Sequence, residues 1–249
     1  MRFLGFTLLT ACSAPPTYIS FGGDAGDAAS SVVEAGSDGA VFYPLPDGGT
    51  VAADRFVTHV VSFEAGPCAG FGQSAMPGVV YGPPVGGGLL MGSTDVVSLG
   101  NGGTIVVSFE PNAIVDGPGP DFTVFENPFY VAGNKNNIYA EPGIVSVSDD
   151  GVTWTSFPCT ATAQNPPYGL CGGWHPVIAN WHDNTVSPLD PNVSGGDVFD
   201  LATVGITHAR YIKITDHSAE TCPTDPSQPH PTTNGFDLDA IAILNAEAP

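Results

Sequence analysis

Arg210-Tyr211-Ile212-Lys213-Ile214-Thr215 alternates residue by residue between two kinds of side chain. A period of two puts Ile212 and Ile214 on one face and Tyr211 and Lys213 on the other, the pattern of a strand with a single buried face. Residues 104–110 repeat it, with Ile105, Val107 and Phe109 sharing a face. Six more short β-type runs lie between Gly, Pro, Asn and Asp residues, at 56–63, 95–99, 121–126, 143–148, 152–157 and 237–244. Asp150-Gly151 between two of them predicts a two-residue hairpin turn. No amphipathic helical pattern longer than two turns interrupts the series. The expected fold class is all-β: a single antiparallel β-sandwich of jelly-roll type, about eight strands over residues 53–247.

Charge narrows the partners. The chain has 249 residues, with 25 Asp and Glu against 5 Lys and Arg, for a formal net charge of -20. Such a surface repels phosphates and anionic headgroups, which argues against nucleic acid as a partner. Abundant Asp suits divalent cations or neutral ligands. No apolar run approaches the ~20 residues that cross a bilayer as a helix. Residues 13–50 are rich in Ala, Gly, Ser and Asp and bury too little apolar surface to offset their chain entropy. Residues 12–52 therefore read as a disordered tether with a root-mean-square span of roughly 35 Å.

At the N-terminus, Arg2 precedes the apolar run 3–9 and the small residues Thr10 and Ala11, the layout of an export signal over residues 1–11. Leu9-Thr10-Ala11-Cys12 resembles the lipobox of bacterial lipoproteins. That resemblance implies cleavage before Cys12 and a diacylglycerol on its thiol. An exported chain would then be held to a bacterial membrane, the outer one, through lipid alone, at the cell surface or in the periplasm. The competing readings are an ordinary signal peptide and a different start codon. With Cys12 lipidated, Cys68, Cys159, Cys171 and Cys222 remain. An even number in an exported chain reads as two disulfides with three possible connectivities. Cys159 with Cys171 closes a short loop and is preferred, which leaves Cys68 with Cys222. A zinc site is the alternative, but no Cys-x-x-Cys pair occurs.

Ser148-Asp149-Asp150-Gly151-Val152-Thr153-Trp154, followed by Ala209-Arg210-Tyr211-Ile212-Lys213-Ile214, resembles the S-x-D-G-x-x-W … A-R-Y-I-R-I pair of discoidin-type (coagulation factor 5/8 C-type) domains. The resemblance implies a galactose-binding-like sandwich that holds sugars or cell-surface ligands through loops at one end. Gly235-Phe236-Asp237-Leu238-Asp239-Ala240-Ile241 would be its closing strand. The loop 159–197 is longer than that family leads one to expect. The segments 117–127 and 141–145 look more like a group of uncharacterised bacterial cell-surface proteins, so no ligand pocket is carried over.

Carboxylates and amides gather at the strand ends: Asp121, Glu126, Asn127, Glu141, Asp237 and Asp239. Calcium takes six to eight oxygen ligands, and side chains of these types supply them, so these six are the candidate metal ligands and Ca²⁺ the candidate cofactor. Asp237 and Asp239, two apart on a strand, are expected on one face. The competing reading is that these groups cap turns. In the long loop, Tyr168, Trp174, His175 and Trp181 are the candidate ligand-binding residues, because aromatic faces stack on sugar rings. The same rings could instead pin the loop to the sandwich. The function expected is a lipid-anchored binding or adhesion module for glycan or another cell-envelope ligand. The alternatives are a carbohydrate-active enzyme using paired carboxylates such as Glu126 and Glu141, and a structural envelope protein with no small ligand.

Overall fold

The computed structural model describes residues 33–34 (backbone only), 41–161, 167–218, 222 and 234–247. The export signal, Cys12 and most of the expected tether lie outside the described residues. Eight strands carry the core: β1 (His59–Glu64), β2 (Thr104–Ser108), β3 (Phe122–Phe125), β4 (Gly143–Ser148), β5 (Thr155–Ser156), β6 (Asp197–Phe199), β7 (Tyr211–Asp216) and β8 (Ala240–Ile243). They form a five-stranded sheet of order β5-β4-β7-β2-β1 and a three-stranded sheet of order β6-β3-β8. Every pairing in both is antiparallel. The all-β, antiparallel expectation holds.

Register explains the core. Val147 pairs with Ile212 and Val145 with Ile214 across β4 and β7, and on the other side of β7 those isoleucines pair with Val107 and Ile105. All six are buried, and they pack in one cluster with Phe122, Val124, Ile241 and Ile243 of the smaller sheet. Phe122, Phe157 and Phe199 close the cluster with ring centroids 4.9–5.8 Å apart. The strands β3 and β8 are buried along their whole length, so their second face also needs a cover. Phe125, Ala240 and Ala242 on that face pack with Val51, Phe56 and Val177, and with the partly buried Tyr43, Leu45 and Leu189.

That cover corrects the tether boundary. Residues 41–52, expected at the end of the tether, form a hairpin of Val41–Pro44 with Thr50–Ala52. Its turn is built from Asp47-Gly48-Gly49: Gly48 adopts φ +83°, and the Gly49 N–H donates to Asp47 Oδ1. Tyr43 and Val51 find an apolar face to land on, which local composition alone does not reveal.

Asp150-Gly151 also turns differently from expectation. The β4–β5 pairing ends at Val147 and Thr155, so the turn spans 148–154 rather than two residues. Asp150 Oδ1 accepts from the N–H groups of Val152 and Thr153 and from Ser148 Oγ, which widens the loop. Trp154 stays on the outer face, half-buried, with Lys213 Nζ 4.3 Å from its ring centre.

Cys159 pairs with Cys171 and Cys68 with Cys222, at Cα separations of 4.4 and 5.8 Å. The second bridge closes a span of 154 residues, where loop-closure entropy alone is worth about 5 kcal/mol. The described part of the long loop is ordered by backbone pairings of Cys159 with Gly169, Gly143 with Gly172, and Val177 with Gly195.

Candidate functional site

Three carboxyls from separate parts of the chain meet just past the end of β3. Glu126 directly follows β3, Glu141 lies just before β4, and Asp237 opens the short strand Asp237–Leu238, which pairs with Val97–Ser98. They are 1 %, 2 % and 4 % exposed, and each offers an oxygen within 4.8 Å of the others. The adjoining backbone is used to the full. The N–H groups of Gly235, Phe236 and Asp237 donate in turn to Glu141 Oε1 (2.7 Å), Asp216 Oδ1 (2.9 Å) and Glu126 Oε1 (3.1 Å). Asn127 Nδ2 reaches Asp237 Oδ2 at 3.4 Å and also donates to the Ser93 carbonyl.

Glu126 Oε2 is buried and has no hydrogen-bond partner among the described residues. Burial pushes the Glu126 carboxyl well above the usual range, and the charges of Asp237 and Glu141 push it the same way. Taking carboxylates out of water costs several kcal/mol per ion, by rough estimate, so a buried acidic cluster of this kind gains from protons or a cation. The acidic cluster can therefore hold a metal ion. Its donors are all oxygens, the set that hard divalent cations prefer.

The other two acidic candidates stand elsewhere. Asp121, fully buried, accepts from the Gly117 N–H (2.8 Å), Asn245 Nδ2 (2.8 Å) and the Leu201 N–H (2.7 Å). It lies near Asp116 and Asp200, but its own oxygens are already engaged, and Asp200 caps the turn at Ala202. Asp239 is close to Asp237 in sequence only. The chain changes partner strand between them, from Val97–Ser98 to β3, and both Asp239 oxygens face the Val85 N–H at 3.1 Å. Burial also holds the Asp239 carboxyl well above its usual range. Turn and backbone capping describes these two groups.

The aromatic candidates divide as well. Trp174 and His175 lie side by side, ring centres 3.9 Å apart, on the wall of a cleft of about 460 Å³ that Tyr130, Leu89, Ile178 and Val193 also line. Tyr168 is buried behind them, its ring edge-on to Trp174. Trp181 is remote from the cleft lining: it packs on Tyr43 at 5.3 Å and anchors the 41–52 hairpin. For Trp181 and Tyr168 the pinning role applies.

Sequence reasoning missed Asp197. It is 4 % exposed, with Oδ1 2.6 Å from His175 Nδ1 and Oδ2 taken by the N–H groups of Gly173 and Trp174. Asp216, which ties the Gly235–Asp237 backbone to Gly102, was missed too. Neither residue sits in a local motif: the partners of Asp197 are consecutive but lie 22–24 positions before it, and those of Asp216 are scattered along the chain. A glycosidase pair of Glu126 and Glu141 meets a steric objection: both are buried to within 2 %, and a polysaccharide cannot reach them in this conformation. When the chain is set against known proteins, no protein-family model matches it and no curated protein matches it.

Proposed function

We propose that this chain is an exported binding module of a bacterial cell envelope, held to the outer membrane by a lipid on Cys12. Its β-sandwich, discoidin-like in kind, carries a calcium ion between Glu126, Glu141 and Asp237. It takes glycan or another envelope ligand on its loops. The observation that carries the reading is the Glu126 oxygen that has no partner among the described residues, beside two further buried carboxyls. A bound Ca²⁺ gives that oxygen a partner and offsets most of the charge. Carbonyls of the surrounding loops are of the type that completes such a shell. Two disulfides among four of the cysteines fit an oxidising compartment, and the acidic surface fits a neutral ligand.

Calorimetric titration of EDTA-treated protein with CaCl₂ tests it. One saturable site is expected, and calcium at about a hundred times its Kd adds about 2.7 kcal/mol to stability. Glu126→Gln keeps an acceptor for the Asp237 N–H but removes the charge, and it abolishes the binding heat. Wild-type protein with no saturable heat at millimolar calcium would sink the metal-bearing module.

A further inference from the structure

We infer that the cleft beside Trp174 and His175 is the ligand site of this module, and that it takes an uncharged sugar ring. The inference rests on the binding-module reading and names where the ligand goes and what it is.

The cleft is preorganised around one polar group. The side chain of His175 is 50 % exposed while that of its partner Asp197 is 4 % exposed. A carboxyl accepts, so His175 donates through Nδ1, which fixes the ring plane and leaves Nε2 available; no partner of Nε2 occurs among the described residues. Asp197 spends its other oxygen on the Gly173 and Trp174 N–H groups. One buried residue thus positions both the imidazole and the backbone that carries Trp174. The Trp174 indole is held in turn by Nε1 donating to the Cys171 carbonyl at 3.2 Å, and Cys171 is disulfide-bonded to Cys159. Two adjacent rings are therefore immobilised at an open apolar wall, the low-entropy arrangement of a recognition site.

The chemistry of the lining selects the ligand. No Lys or Arg among the described residues lies on the cleft, so a phosphate or carboxylate finds no clamp there, and the net charge of -20 opposes its approach. Trp174 and Tyr130 offer aromatic surface and Leu89 and Ile178 aliphatic surface, a match for the C–H face of a pyranose. A hydroxyl both donates and accepts, so it can bond His175 Nε2 in either protonation state of that nitrogen. A cleft of about 460 Å³ falls in the range of small-ligand sites, roughly 300–1,000 Å³.

The test uses the whole chain, calcium-loaded, with neutral tetrasaccharides of glucose, galactose, mannose and N-acetylglucosamine. Saturation-transfer NMR and tryptophan fluorescence give the affinity. At least one sugar is expected to bind, with a tenfold or greater loss in Trp174→Ala and in His175→Ala. Trp174→Phe, which keeps a ring, should retain most of the binding, and Trp181→Phe all of it. Circular dichroism establishes that each variant is folded. Sugar binding unchanged in folded Trp174→Ala and His175→Ala would overturn the site and leave the module standing. Binding of native envelope extract but of no neutral sugar would overturn the ligand class alone. Self-association through the exposed Leu90 and Met91 beside the cleft, abolished by Leu90→Asp and with no sugar or extract bound, would overturn the module reading as well.

Discussion

Replacing Asp121 by Ala separates a structural carboxyl from a metal-binding one. Asp121 is fully buried and satisfies three donors: the N–H groups of Gly117 and Leu201 and the amide of Asn245. Those donors tie together the loop before β3, the turn after β6 and the segment after β8. Ala leaves them without that acceptor at a fully buried position, and each stranded donor costs roughly 1–3 kcal/mol. With partial relaxation the total comes to about 4–6 kcal/mol. For a domain of 150–250 residues that lowers Tm by roughly 10–20 °C. Urea unfolding at pH 7 in EDTA, followed by tryptophan fluorescence, gives the free energy. Asp121→Asn keeps one acceptor oxygen and should fall between wild type and Ala, which preserves a folded sample. In that sample the calcium response should match wild type. A loss below about 1 kcal/mol in Asp121→Ala would refute the three-donor account, and a lost calcium response in Asp121→Asn would place Asp121 back among the metal ligands.

Asp150 makes an acid-side prediction. The N–H groups of Thr153 and Val152 lower its pKa to about 2 from the ordinary 3.8. A depressed carboxyl contributes stability above its unfolded value and loses it as pH falls through the folded one. The gap in urea midpoint between wild type and Asp150→Asn should therefore narrow from pH 4 to pH 2, and a gap constant with pH would contradict it. Val51→Ala checks the 41–52 hairpin: Val51 is 6 % exposed on the outer face of β3 and β8, and the truncation should cost about 2 kcal/mol. The same change in a free tether would cost nothing measurable.

The strands that could be read from sequence are those with one buried face. Tyr211–Asp216 and Thr104–Ser108 alternate because one side meets the core, and the fully apolar Phe122–Phe125 stands out as a run. Ala113–Val115, Asp197–Phe199 and His208–Ala209 are too short for any period to show. The candidate site was legible in residue type but not in arrangement. Glu126 and Asp237 touch across 111 positions, whereas Asp239, two residues on, serves the Val85 N–H because the chain has changed partner strand. Long-range pairing decides such outcomes, and one sequence holds no periodicity that reports it. The short Cys159–Cys171 loop was visible from spacing, while the Asp197 support of His175 was not.

The segment from Gly235 to Ile243 has a consequence for the order in which the molecule can form. Its first three N–H groups satisfy carboxyls from three distant places, and Phe236, Leu238, Ile241 and Ile243 complete the core. Synthesis delivers this segment after every element it joins. Before it arrives, Glu126, Glu141 and Asp216 lack these donors, and β3 lacks one neighbour. The core therefore stays incomplete, and these carboxyls lack their backbone donors, until this last segment has been made.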